Sequence, residues 1–117
     1  MIELNKIYCE SNMDTMARMP DSFISLTVTS PPYDNLRAYN NYAWDCGEVA
    51  SELFRVTKDG GAVVWVVGDA TVDGCETGSS FRQALMFMDI GFRLHDTMIY
   101  EKNSSAFPAS KESNRYT

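Results

Sequence analysis

Six apolar residues stand in an unbroken run at Ala62-Val63-Val64-Trp65-Val66-Val67. A strand that shows one face to water alternates polar with apolar, whereas a strand with no polar position needs cover on both faces, as in the interior of a parallel sheet. Its Val content suits a pleated strand better than a helix. A second run, Phe23-Ile24-Ser25-Leu26-Thr27-Val28-Thr29, is also β-branched and apolar, and Pro31-Pro32 stops it abruptly. Between the two lies a well-marked helix. Asp45 and Glu48 have capping-box spacing, and Trp44 and Val49 occupy staple positions. Val49, Leu53 and Val56 recur at helical spacing, and Gly60-Gly61 is expected to end the element. Strand, helix and strand in this order predict an α/β layered sheet, mainly parallel.

The flanks carry weaker signals. Segment 4–9 reads as a short strand, and Asn12 as the cap of a short helix whose Met13, Met16 and Ala17 share a face, ending at Met19-Pro20. Asp34 to Ala43 is a polar, aromatic loop, and Asp69 to Gly78 a turn-rich one. Ser80 and Gln83 have the spacing of a second capping box. The helix it opens places Phe81, Ala84, Leu85 and Met88 on one face and closes at Gly91. Phe92 to Glu101 reads as a strand and 102–117 as loop, all within a single domain over 1–117.

Composition removes several functions. The formal charge of −6 argues against this stretch being a DNA-gripping surface, because duplex affinity rests on Lys and Arg at phosphates. No apolar run is long enough to span a membrane, and the first residues lack the form of a signal peptide, so a cytoplasmic setting with no membrane partner is expected. Cys9, Cys46 and Cys75 are widely spaced and His95 is the single histidine, which gives no zinc set. Metal is therefore not expected, the three thiols are expected to be reduced and mostly buried, and His95 and the methionines structural.

The loop with chemistry is Ser30-Pro31-Pro32-Tyr33. Each proline drives the residue before it out of helical geometry, and neither has an amide proton. The result is a stiff turn with fixed acceptors, beside an aromatic ring that can lie flat on a planar ligand. An exocyclic amine of a nucleobase suits such a turn. Its lone pair is delocalised into the ring, and accepting its protons on the Ser30 hydroxyl or the Pro31 carbonyl would localise that pair toward an electrophilic methyl group. The bland alternative is a proline-stiffened turn or a polyproline ligand, but such ligands do not end buried strands. Gly68-Asp69 also lies at the carboxyl end of an expected strand, where ligands of α/β sheets bind. Asp69 is either a cap or part of that rim. Tyr39 and Trp44 either shape a pocket or pack.

Thr29-Ser30-Pro31-Pro32-Tyr33 resembles the catalytic loop of the DNA amino-methyltransferases, written [Asp/Asn/Ser]-Pro-Pro-[Tyr/Phe/Trp]. The resemblance runs through nearly the whole chain in the permuted motif order. It takes in Ile7-Tyr8-Cys9, the Met19-Pro20-Asp21 step, Arg55-Val56-Thr57-Lys58-Asp59-Gly60-Gly61 and Gly91-Phe92-Arg93-Leu94. Two departures stand out. Glu10-Ser11 replaces the family's Gly-Asp, leaving Ser11 in the place of a cofactor contact, and the Phe-x-Gly-x-Gly loop for the methionine end of S-adenosylmethionine is absent.

The resemblance implies a partial Rossmann-like methyltransferase sheet, incomplete at the carboxyl end, in a chain expected to be truncated and inactive alone. In the family's strand order, 3-2-1-4-5-7-6, the segments 4–9, 23–29, 62–67 and 92–101 would be strands 3, 4, 5 and 6. With the intervening strands missing, the four are expected to pair directly, or the chain to self-associate or meet a complementing carboxyl-terminal half. The implied reaction is methyl transfer from S-adenosylmethionine to an exocyclic amine of DNA, with N4 of cytosine favoured because Ser heads the loop. The implied cofactor set is Ser11, Ser30, Pro31 and Asp69. Ser30, Pro31, Pro32 and Tyr33 are the implied catalytic set. The alternatives are an N6-adenine enzyme, a non-catalytic remnant or half of a split enzyme, and methylation of glutamine or RNA, for which Asn would be expected in place of Ser30.

Overall fold

The computed structural model describes residues 2–32 and 45–101, in the order α1 (Asn12–Ala17), β1 (Ile24–Thr29), α2 (Cys46–Val56), β2 (Thr57–Trp65), β3 (Thr71–Val72), β4 (Cys75–Glu76) and α3 (Ser79–Ile90). The two apolar runs pair as expected. β1 and β2 are parallel neighbours, with Leu26 opposite Ala62, Thr27 opposite Val63, Val28 opposite Val64 and Thr29 opposite Trp65.

Helix α2 organises the core. Asp45 Oδ1 accepts from the Glu48 amide at 3.1 Å, as the capping spacing predicts, while Trp44 lies outside the described residues. Val49, Leu53 and Val56 are buried with Ala50, and they meet Met16 of α1 and Phe87 of α3. Ile24, Val63 and Trp65 pack on this cluster from the sheet.

Gly60-Gly61 does not end α2. The helix stops at Val56, because the backbone N–H and the hydroxyl of Thr57 both donate to Leu53 O while Thr57 itself turns extended. The chain enters β2 without a loop. The glycines serve a bulge instead, since pairing jumps from Ile24–Thr57 to Leu26–Ala62. Gly60 has φ +82°, and a Cβ on Gly61 would lie 2.9 Å from Ser25 O.

Four other expectations are corrected. Ser11, not Asn12, caps α1, and the helix ends at Ala17, short of Met19-Pro20. Segment 4–9 is not a strand, because Asn5 at φ +58° breaks the extension and the Tyr8 hydroxyl bridges Glu3 N and Glu3 O. Segment 92–101 is not a strand either. Phe92 N caps α3 on Phe87 O, and among the described residues no strand pairs with 93–101. The four expected strands therefore do not pair as one sheet. The Ser80–Gln83 box does not form: Gly78 is the N-cap, and Gln83 Oε1 accepts from the Trp65 indole at 2.8 Å.

Helix α3 also presents a different face from the expected one. Phe87 is its buried residue, whereas Phe81, Leu85 and Met88 are exposed. Phe87 packs tilted against Trp65 of the sheet and stacks on Phe92, with centroids at 4.7 and 5.4 Å, so aromatic contact decides the rotation of the helix. Gly91 closes α3 as predicted. The cysteines are free, but Cys9 and Cys75 are exposed and only Cys46 is half-buried, where burial and then Asp45 push its thiol up. His95 is exposed as well, a consequence of its segment pairing with nothing described.

Candidate active site

In a parallel pair both carboxyl ends face the same way. Beyond Thr29–Trp65 the ladder continues one step, with Val66 N donating to Thr29 O at 2.9 Å. Ser30-Pro31-Pro32 and Gly68-Asp69 therefore leave the same end of the sheet, and four of the sequence-predicted residues, Ser30, Pro31, Pro32 and Asp69, are brought to one end. Pro31 is buried, Pro32 half-buried and Ser30 exposed. A strand closed by two residues that cannot donate leaves the turn fixed in place by packing and covalent geometry. Tyr33, with Tyr39 and Trp44, lies outside the described residues.

Asp69 is held by the next helix. Its Oδ1 accepts from Ser80 N at 2.7 Å and its Oδ2 from Ser80 Oγ at 2.9 Å, so the carboxylate sits at the N-terminus of α3, where the helix dipole favours a negative charge. The cap is thus supplied from the end of the strand. Between the two, β3 and β4 form a hairpin whose Asp73 and Gly74 have φ +53° and +79°, as a two-residue primed turn requires. The Asp-Gly pair between Thr71-Val72 and Cys75-Glu76 was the sequence signal for this hairpin, and Thr77 N to Ala70 O closes its base.

Ser11 is placed by α1 rather than by the sheet. Its Oγ accepts from Met13 N at 3.3 Å as the helix cap. The neighbouring Glu10 carboxyl is held below its ordinary value by the Thr15 hydroxyl and then by Arg18.

The role of one positioning residue, Arg55, carries no signal in residue spacing. All five N–H donors of Arg55 are used: Met16 O and Met19 O at the end of α1, Asp21 in the approach to β1, and both oxygens of Glu52. Backbone bonds from Ser22 N to Arg55 O and from Phe23 N to Val56 O fix the same approach. Arg55 thereby sets where the strand leading to Ser30 begins. Its partners lie up to 39 residues away, so spacing could not reveal them.

Among the described residues no group of three or more His, Cys, Asp or Glu could hold a metal ion, and no helix is long and apolar enough to cross a membrane. The sequence pattern of the DNA methylase family matches residues 24–117, from the first residue of β1 onward. The chain belongs to the DNA methylase family. The orphan methyltransferase M.BamHII of Bacillus amyloliquefaciens is 66% identical to this chain over 96 residues, 82% of this chain and 35% of the relative. The type II methyltransferase M.BglII of Bacillus subtilis is 36% identical over 73 residues, 56% of this chain and 20% of the relative. The type II methyltransferase M.MthZI of Methanothermobacter thermautotrophicus is 29% identical over 133 residues, covering 86% and 36%. The chain thus spans about a third or less of the length of these relatives. No solved structure matches it.

Proposed function

We propose that this stretch is the catalytic-loop portion of an S-adenosylmethionine-dependent DNA methyltransferase that modifies an exocyclic amine, N4 of cytosine in preference to N6 of adenine. The observation that carries the reading is the Ser30-Pro31-Pro32 turn at the carboxyl end of β1, Pro31 buried, sharing its end of the sheet with Asp69. Family membership and the methyltransferase relatives support the reaction class.

The described residues fit the amine half of this chemistry. S-adenosylmethionine supplies an electrophilic methyl group when bound. Ser30 and Pro31 accept the two amine protons of a base taken out of the duplex, which draws the nitrogen lone pair out of the ring. Pro32 fixes the turn, and Tyr33 stacks on the base. With its two protons held by these acceptors, the nitrogen would need no prior deprotonation to take the methyl group. The methyl group's bond to the cofactor sulfur would break as the C–N bond forms, releasing the neutral thioether, and the extra proton would then pass to solvent. For the cofactor half the fit is thinner. Ser11 Oγ and both Asp69 oxygens already hold helix N-termini, so a cofactor contact there would share them.

Mass spectrometry of nucleosides tests the reading. DNA is incubated with S-adenosylmethionine and this chain joined to the part of an M.BamHII-like relative outside the matched stretch. N4-methylcytosine is the expected product, and a dominant N6-methyladenine signal overturns the choice of base. In the same enzyme Tyr33→Ala weakens capture of the base, by about 1–3 kcal/mol if stacking is lost, whereas Tyr33→Phe is mild. Equal damage from both would refute the stacking role.

A further inference from the structure

The two-stranded sheet ends beside the proposed site, and its final rungs are gripped by a helix. Among the described residues β1 pairs with β2 alone, and a lone pair of strands is free to fray at its ends. At the carboxyl end Thr29 stands opposite Trp65, and the Thr29 carbonyl accepts from Val66 N at 2.9 Å, so the residue before Ser30 is held to β2 there. Trp65 is held in turn by α3. Its indole N–H donates to Gln83 Oε1 at 2.8 Å, and its ring lies 4.7 Å from that of buried Phe87. One turn earlier in α3, the N–H and the hydroxyl of Ser80 both donate to Asp69. Ser80 and Gln83 are three residues apart and share a helix face. The start of α3 thus ties down the strand end on both sides of Val66.

We propose that Gln83 is a positioning residue for the methyl transfer, acting through Trp65 to hold the Ser30-Pro31-Pro32 turn in place for the amine; the inference rests on the reaction proposed above. The two ties differ in kind. Asp69 completes the N-terminus of α3, which the helix needs whatever the chain does. Gln83 lies inside the helix, and its amide oxygen serves the indole. A half-buried Trp has an apolar body and a single donor, so ring contact fixes where it lies and the hydrogen bond fixes how it is turned. With the ring fixed, Trp65 keeps its place opposite Thr29, and Ser30 follows Thr29 by one peptide bond. Precision matters at this point. Accepting an amine proton needs heavy atoms within about 3 Å, and misplacement by about 1 Å can cost on the order of a hundredfold in rate.

Two measurements test it. In the chain alone, hydrogen exchange of the Val66 amide reads the end of the ladder, with the Phe23 amide, bonded to Val56 O at the other end of the sheet, as reference. Gln83→Met keeps the length of the side chain and removes the acceptor. It is expected to speed Val66 exchange about tenfold and leave Phe23 unchanged, whereas Gln83→Glu, which keeps an acceptor, restores protection. In the chain joined to the rest of the M.BamHII-like relative, Gln83→Met lowers kcat about tenfold with the KM for DNA within about twofold, and Gln83→Glu recovers most of the loss. Trp65→Phe lowers kcat as well, and adding Gln83→Met to it changes nothing further, because the donor is already gone. Circular dichroism checks the fold. Should Gln83→Met not fold, Trp65→Phe, which removes the donor and keeps a ring, makes the same comparison. Val66 exchange indifferent to Gln83→Met overturns the proposal. So does faster exchange with kcat unaltered, or a Gln83→Glu variant as impaired as Gln83→Met. If the unaltered joined enzyme methylates no DNA while Val66 exchange still responds to Gln83, it is the proposed reaction that fails, and the positioning role falls with it.

Discussion

Two residues show how much of this fold hangs on single side chains. Gly91 ends α3 at φ +144°, and a Cβ there would lie 2.6 Å from Phe54 Cζ and 2.8 Å from its Cε1. Phe54 meets Phe92 edge-on at 5.2 Å, so the glycine admits an aromatic contact as well as a turn. Gly91→Ala is expected to destabilise the chain by about 1–3 kcal/mol through overpacking, read as a lower urea midpoint. An unchanged midpoint would mean that Phe54 is not seated against the helix end. Arg55 and Glu52 make the other case. Hydrogen bonds from Arg55, then its charge, hold the Glu52 carboxyl below its ordinary value of 4.5, and Glu52 and Asp21 raise the Arg55 pKa in return. A depressed carboxyl stabilises the fold at all pH values above its unfolded pKa, and that contribution is lost as pH falls through the lower folded value. The thermal midpoint should therefore drop below about pH 4.5, the region in which the carboxyl begins to take up its proton. Glu52→Gln should lower the midpoint at pH 7 and flatten the acid slope. A slope identical to that of the unaltered chain would place the acid sensitivity elsewhere, Glu10 being the other depressed carboxyl among the described residues.

Among the elements, what could be read from the sequence divides by whether the information is local. Helix α2 was legible because Asp45, Glu48 and the Val49-Leu53-Val56 spacing act within a few turns, and the two apolar runs were legible because each has a partner in the other. Segments 4–9 and 92–101 have strand-like sequences, but a strand needs a neighbour. Ile7 and Ile99 remain 95% and 87% exposed, finding none among the described residues. The rotation of α3 was hidden for the same reason, since both of its sides are apolar and only contact with Trp65 and Phe92 selects Phe87. The stop that Pro31-Pro32 puts to β1 was readable because proline stiffness is covalent. That Asp69 would spend both oxygens on Ser80 was not, since eleven residues and a hairpin separate them. The cap itself can be tested. Asp69→Ala leaves the first turn of α3 without its acceptor and is expected to destabilise the chain by about 1 kcal/mol. Asp69→Asn, which keeps an oxygen for Ser80 N, should cost less. Equal losses from the two would show that the charge at the helix N-terminus matters more than the hydrogen bond.

For the molecule as a whole, charge separates chemistry from recognition. The chain carries sixteen acidic residues against ten basic ones, and duplex DNA is held mainly through Lys and Arg at its phosphates. The residues proposed to act on the base thus stand on a chain without the excess of cations that holds the duplex. The larger share of the relatives' length, 65% of M.BamHII by difference from the matched 35%, is where such a surface can lie. The chain alone is accordingly expected to bind duplex DNA more weakly than the roughly 10⁻⁴ to 10⁻⁶ M typical of non-specific binding at physiological salt. It should also show little salt dependence, because few condensed counterions are released when few phosphates are neutralised. Fluorescence anisotropy of a labelled duplex, titrated with the chain at low and at physiological salt, measures both quantities. Micromolar binding that collapses as salt rises would show that the ten Lys and Arg residues are gathered on one face, and would move DNA recognition onto this part of the methylase.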